Sequence, residues 1–154
     1  MRVTATTRRL AHLVRRWWGS LRATEPSAAD IDWVETHLSS GEKELFARMT
    51  VVDRRHAILV ARRFLDARPD ASREQLAAAL LHDVGKIRSG LSTSRRVLAT
   101  VVGPRTRRFR DYHDHEKIGV ELCRRAGSHE VTLSLLAGVG DPGVLEALRH
   151  ADDV

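Results

Sequence analysis

Residues 72–86 read Ser-Arg-Glu-Gln-Leu-Ala-Ala-Ala-Leu-Leu-His-Asp-Val-Gly-Lys, and the fold turns on this stretch. Ser72 with Gln75 three residues later is a capping-box pair, which satisfies the first unpaired amides of a helix. From Leu76 to Leu81 no polar residue interrupts, so the helix is apolar all round and other elements must cover it on every side. Gly85 is the expected stop. His82 and Asp83 therefore close a buried helix, where desolvation and the negative end of the helix dipole both oppose a carboxylate. A metal ion supplies the missing positive charge; the alternative is a buried salt-bridged pair, which is costly to satisfy. Adjacent helical residues point about 100° apart, so both reach one ion only at the helix end, with other helices giving the opposite ligands.

Working outward, the pattern stays helical. Upstream, a helix from about Asp53 to Ala67 carries Ile58, Leu59, Val60, Ala61, Phe64 and Leu65, stops before Pro69 and holds His56 in its first turn. Before it, Glu42 to Met49 forms a short helix, and Ser27 or Asp30 caps one bearing Ile31, Trp33, Val34 and Leu38, which Ser39-Ser40-Gly41 breaks. Residues 8–22 place Leu10, Leu13, Val14, Trp17, Trp18 and Leu21 among five arginines, an amphipathic basic helix expected to dock on the core. The same stripe suits a membrane surface, a partner or a homodimer contact. Downstream, helices are expected at Leu91–Val102, at Tyr112–Ala126 before Gly127, from a Ser128 cap to about Ala137, and from Asp141-Pro142 toward His150.

Bulk properties bound the rest. A chain of 154 residues with 42% apolar content can bury one core, and four Pro and ten Gly leave helix favoured throughout. The expectation is an all-α, single compact helical domain of six to eight helices, in which the helices of residues 1–49 pack on a core built from 50–154. One cysteine, Cys123, excludes an internal disulfide framework and fits a reducing, cytoplasmic setting. No run approaches the roughly 18 apolar residues of a membrane span. The net charge of +6 attracts anions. Between Val84 and Arg110 there is no acidic residue, while Lys86, Arg88, Arg95, Arg96, Arg105, Arg107, Arg108 and Arg110 form a cationic zone.

Arg55-His56, then Leu80-Leu81-His82-Asp83-Val84-Gly85-Lys86, then Ala151-Asp152 resembles the His, His-Asp, Asp pattern of HD domains, the metal-dependent phosphohydrolase superfamily, across residues 50–154. The resemblance implies that His56, His82, Asp83 and Asp152 hold one divalent ion per chain. The mixed imidazole and carboxylate set suits manganese, iron, nickel, zinc or magnesium better than a thiolate-seeking ion. His115-Glu116-Lys117-Ile118-Gly119 is also similar to the His-x-x-x-Gly helix of HD-GYP-type proteins, where the histidine serves a second metal. Those relatives add a further histidine pair about one helix later, whereas this chain reads Leu136-Ala137-Gly138-Val139-Gly140-Asp141, so a full two-metal site is not expected.

The resemblance implies metal-assisted hydrolysis of a nucleotide or other phosphate ester, with an anionic phosphorylated small molecule as partner. Lys86 is the first candidate phosphate contact and Arg55 the next, with one or more of Arg95, Arg96, Arg105 and Arg108 weaker. Asp83 is a candidate for orienting water, and His115 or His113 for proton transfer. Two other readings compete: an HD-type ligand-binding or regulatory module with little turnover, and a basic nucleic-acid or membrane-surface binder in which a metal is structural.

Overall fold

The structure is a computed structural model and describes residues 24–89 and 108–153. The expected helices at 8–22 and 91–102, together with Arg95, Arg96 and Arg105, lie outside the described residues. Among the described residues every regular element is helical: α1 (Ala28–His37), α2 (Ser40–Arg48), α3 (Val51–Ala67), α4 (Arg73–Leu81), a 3-10 segment (Val84–Ser89), α5 (Arg108–Arg125), α6 (Glu130–Leu136) and α7 (Pro142–Asp153).

The centre of the fold is α4. Ser72 Oγ accepts from Gln75 N, the Gln75 side chain accepts from Ser72 N, and every residue from Leu76 to Leu81 is buried. A helix with no polar face needs neighbours on all sides, and α1, α2, α3 and α6 pack around it. On α3 the buried positions Ala57, Ile58, Val60, Ala61 and Phe64 follow helical spacing and form the seam with α4. α7 lies along α3, with Val144 and Ala151 buried, and α5 packs on the 3-10 segment and α6.

Several element ends differ from the sequence expectation. α4 ends at Leu81, not at Gly85: His82 is its C-cap, and the chain tightens into the 3-10 segment because Val84 is drawn fully into the core. α3 begins at Val51 under a Thr50 cap, which moves His56 from the first turn to the second. His129, not Ser128, caps α6, its Nδ1 accepting from Val131 N at 3.2 Å. Ser128 is instead used to close α5, where Gly127 takes φ +78° and Ser128 N donates to Cys123 O. Cys123 itself is buried, and burial pushes its thiol up to about 12, so it is an unreactive filler.

α1 ends at His37, just ahead of the break expected at Ser39-Ser40-Gly41, but Gly41 itself falls inside the next helix. Ser39 caps α2 through a capping box with Glu42, and Gly41 lies in the first turn, where a Cβ would fall 2.1 Å from Ala126 O. The glycine is there because α2 crosses the end of α5 at backbone contact. Gly41→Ala is expected to lower unfolding free energy by about 2 to 3 kcal/mol, by forcing the two backbones apart. Denaturant titration checks this, and a loss under about 0.5 kcal/mol, the level of an ordinary surface change, would show that the crossing yields freely.

Candidate metal centre

Three separate elements deliver the site. His56 comes from the second turn of α3, His82 and Asp83 from the turn after α4, and Asp152 from the last turn of α7. The α4 turn is held by Lys86 N donating to Asp83 O at 3.0 Å and by buried Val84. Gly119 lets α5 approach this turn closely, since a Cβ there would meet Gly85 N at 3.3 Å.

The side chains converge. The His56 and His82 ring centroids are 5.3 Å apart. His56 Nε2 donates to Asp152 Oδ1 at 2.8 Å, and His82 Nε2 stands 3.4 Å from the same oxygen and 3.6 Å from Asp83 Oδ2. Ligand atoms of His56, His82 and Asp83 all lie within 4.8 Å of one another. Atoms bound to one ion at about 2.0–2.2 Å sit roughly 3–4 Å apart, so the group needs only a small contraction to hold one.

The His82 ring gives the clearest indication of fit. Its Nδ1 lies 2.8 Å from Ala79 O, which can only accept, so Nδ1 carries a proton and in the neutral ring Nε2 has the lone pair. That Nε2 is buried, makes no hydrogen bond, and faces two carboxylate oxygens. A lone pair confronting two anions is repulsive unless a proton or a cation lies between them. Burial pushes the His82 pKa down, but the Asp152 and Asp83 carboxylates outweigh it and leave the ring raised above 6.5. His56, which bonds it, and then His82 beside it hold the Asp152 carboxyl far below its usual 3.8. A ring whose Nδ1–H is held by a backbone carbonyl while Nε2 faces the other donors is how imidazole ligands are oriented, and the N- and O-donor set matches a borderline or hard divalent ion.

The cluster opens on a cleft of about 430 Å³, also lined by Gly85, Lys86, Glu116 and Leu136. Lys86 Nζ pairs with Asp83 Oδ2. Sequence reading did not single out Glu116; its only signal is a carboxylate beside His115, three residues before the glycine that brings α5 onto the turn. Arg55 points elsewhere, donating to Thr24 O at 3.0 Å, and does not line the cleft. His113, His115 and Arg108 fall on the α5 backbone, and their side chains lie outside the described residues.

The HD domain family model matches residues 53–144. That span includes His56, His82 and Asp83 and ends before Asp152, which the packing of α7 on α3 brings to His56. No curated protein and no solved structure matches the chain significantly. HD domains bind divalent metals and make up a superfamily of the metal-dependent phosphohydrolase type. With the match covering more than half its length and an all-helical fold around the His-Asp turn, the chain belongs to the HD domain family.

Proposed function

We infer that the protein is a metal-dependent phosphohydrolase acting on a nucleotide or another phosphate ester. The observation that carries this reading is the convergence of His56, His82, Asp83 and Asp152 on one point, at the wall of a cleft with Lys86 beside it. A divalent ion bound there would supply Lewis acidity toward a phosphoryl oxygen and toward water.

The chain's own groups support that chemistry. Lys86 offers a cation to phosphate oxygens, and its pairing with Asp83 keeps the ammonium at the cleft wall. Asp83 has a second carboxylate oxygen with which to orient water. His115 is proposed for proton transfer on the strength of the sequence, and its neighbour Glu116 lines the cleft. Arg95 and Arg96 are proposed as further phosphate contacts from the cationic zone. Arg55 joins them only if it leaves Thr24 O.

The test is a panel of phosphomonoesters, phosphodiesters and nucleotides, assayed with each of the five divalent ions in turn. Turnover of one class with one or more ions is expected. Tight binding of a panel member without turnover would replace the enzyme reading with that of a ligand-binding module.

A further inference from the structure

Asp152 is the most exposed of the four candidate ligands and sits one residue before the end of α7, where helices fray. Its position depends on what holds that last turn. Ala151 is buried against α3; besides the bond from His56 to the Asp152 side chain, one described hydrogen bond from outside α7 reaches the backbone of this turn, Arg63 Nη1 donating to Ala151 O at 3.4 Å. This carbonyl is one of the last four of the helix, which have no intrahelical partner. Arg63 lies seven residues after His56, two turns along α3, so one helix face presents both the ring that Asp152 contacts and the cation that caps its helix.

The packing gives this bond added weight. Between α3 and α7 runs an open groove of about 360 Å³ bordered by Arg63, Asp66, Ala67, Ala147, His150 and Ala151. Along this groove the contact between α3 and α7 is incomplete, with Ala151 buried at its edge. A guanidinium at the helix C-terminus adds a favourable charge–dipole term to the hydrogen bond.

We propose that Arg63 is a positioning residue that sets the place of Asp152 at the metal centre by capping the C-terminal turn of α7. It touches neither ion nor substrate. The proposal rests on the metal-binding reading, and the experiment separates the two. Co²⁺ alone is titrated into the full-length protein, Arg63→Gln, Arg63→Lys and Asp152→Asn, recording the visible absorption spectrum along with affinity; circular dichroism verifies folding of each. Loss of an outer positioning contact typically weakens metal binding 10–100-fold, so Arg63→Gln is expected to bind Co²⁺ about tenfold more weakly, with a spectrum shifted toward that of Asp152→Asn. Arg63→Lys, which retains a cation near Ala151 O and guards against misfolding of the glutamine variant, is expected to restore most of both. Parental affinity and spectrum in Arg63→Gln would overturn the positioning role while leaving the metal site standing. So would a Arg63→Lys protein as impaired as Asp152→Asn. Absence of Co²⁺ binding by the parent protein would overturn the site and the positioning role together.

Discussion

His82→Ala and Asp83→Ala are each expected to lose the stoichiometric metal of the parent protein, and with it phosphoester hydrolysis by roughly a thousandfold, the equivalent of about 4 kcal/mol of transition-state stabilisation from a bound ion. The two variants should not behave alike. Removing His82 deletes the site ring whose Nδ1 a backbone carbonyl holds, but leaves the carboxylates to attract an ion. Removing Asp83 deletes an anionic ligand and also one carboxylate paired with Lys86, so that the net charge of the site rises by one. Asp83→Ala is therefore expected to weaken metal binding more than His82→Ala. Elemental analysis after gel filtration, with hydrolysis rates on the same samples, checks both points. Full metal content in both variants would remove the turn after α4 from the site and return His82-Asp83 to a structural pair.

The second large effect concerns pH and requires the direction of each shift. The His82 ring has its pKa raised above 6.5 in the folded state, so its contribution to stability is complete below 6.5 and is lost as pH climbs through the folded value. The Asp152 carboxyl is depressed from 3.8, so its contribution is present above 3.8 and is lost as pH falls through the folded value. Protein stripped of metal should accordingly melt highest between about pH 4 and pH 6.5, losing stability as pH falls below that window or climbs through the raised His82 value. Metal binding works in the opposite sense on the alkaline flank, since imidazoles must give up a proton to bind, and affinity rises as they do. The melting-temperature gap between metal-loaded and chelated samples is expected to be small at pH 5 and to widen by several degrees at pH 8. An equal gap at both values would mean that the histidines do not titrate against the ion.

How far the sequence disclosed this arrangement depends on whether the controlling interaction is local. The Ser72–Gln75 box, the buried run Leu76–Leu81, the Gly127 stop and the Asp141-Pro142 start were all legible, because each acts within a few residues. The errors have a common cause in distant contacts. Gly41 looks like a breaker until Ala126 O is seen against it, and Gly85 looks like a stop until burial of Val84 carries the chain past it as a 3-10 turn. Ser128 resembles an N-cap, but its amide already closes α5, and His129 takes the role one residue later. Within the site, His82-Asp83 announced itself through the cost of ending an apolar helix in ionisable groups. Neither His56 nor Asp152 carries any such signal, and each was placed by family pattern. Glu116 was passed over because nothing in a helix of mixed charge distinguishes a residue that lines a cleft from one facing solvent.

The bond between His56 and Asp152 spans 96 positions of the chain. An ion bound by both would act as a removable cross-link as well as a reagent. A covalent bridge closing a loop of that length takes about 4 to 5 kcal/mol of freedom from the unfolded chain, and the same entropy argument applies to a metal clip that survives only in the folded state. Ion supply would then govern how long the molecule lasts as well as how fast it turns over. In a chelating medium α7 should be the first helix to exchange its amide hydrogens, giving proteases a starting point that the loaded protein denies them.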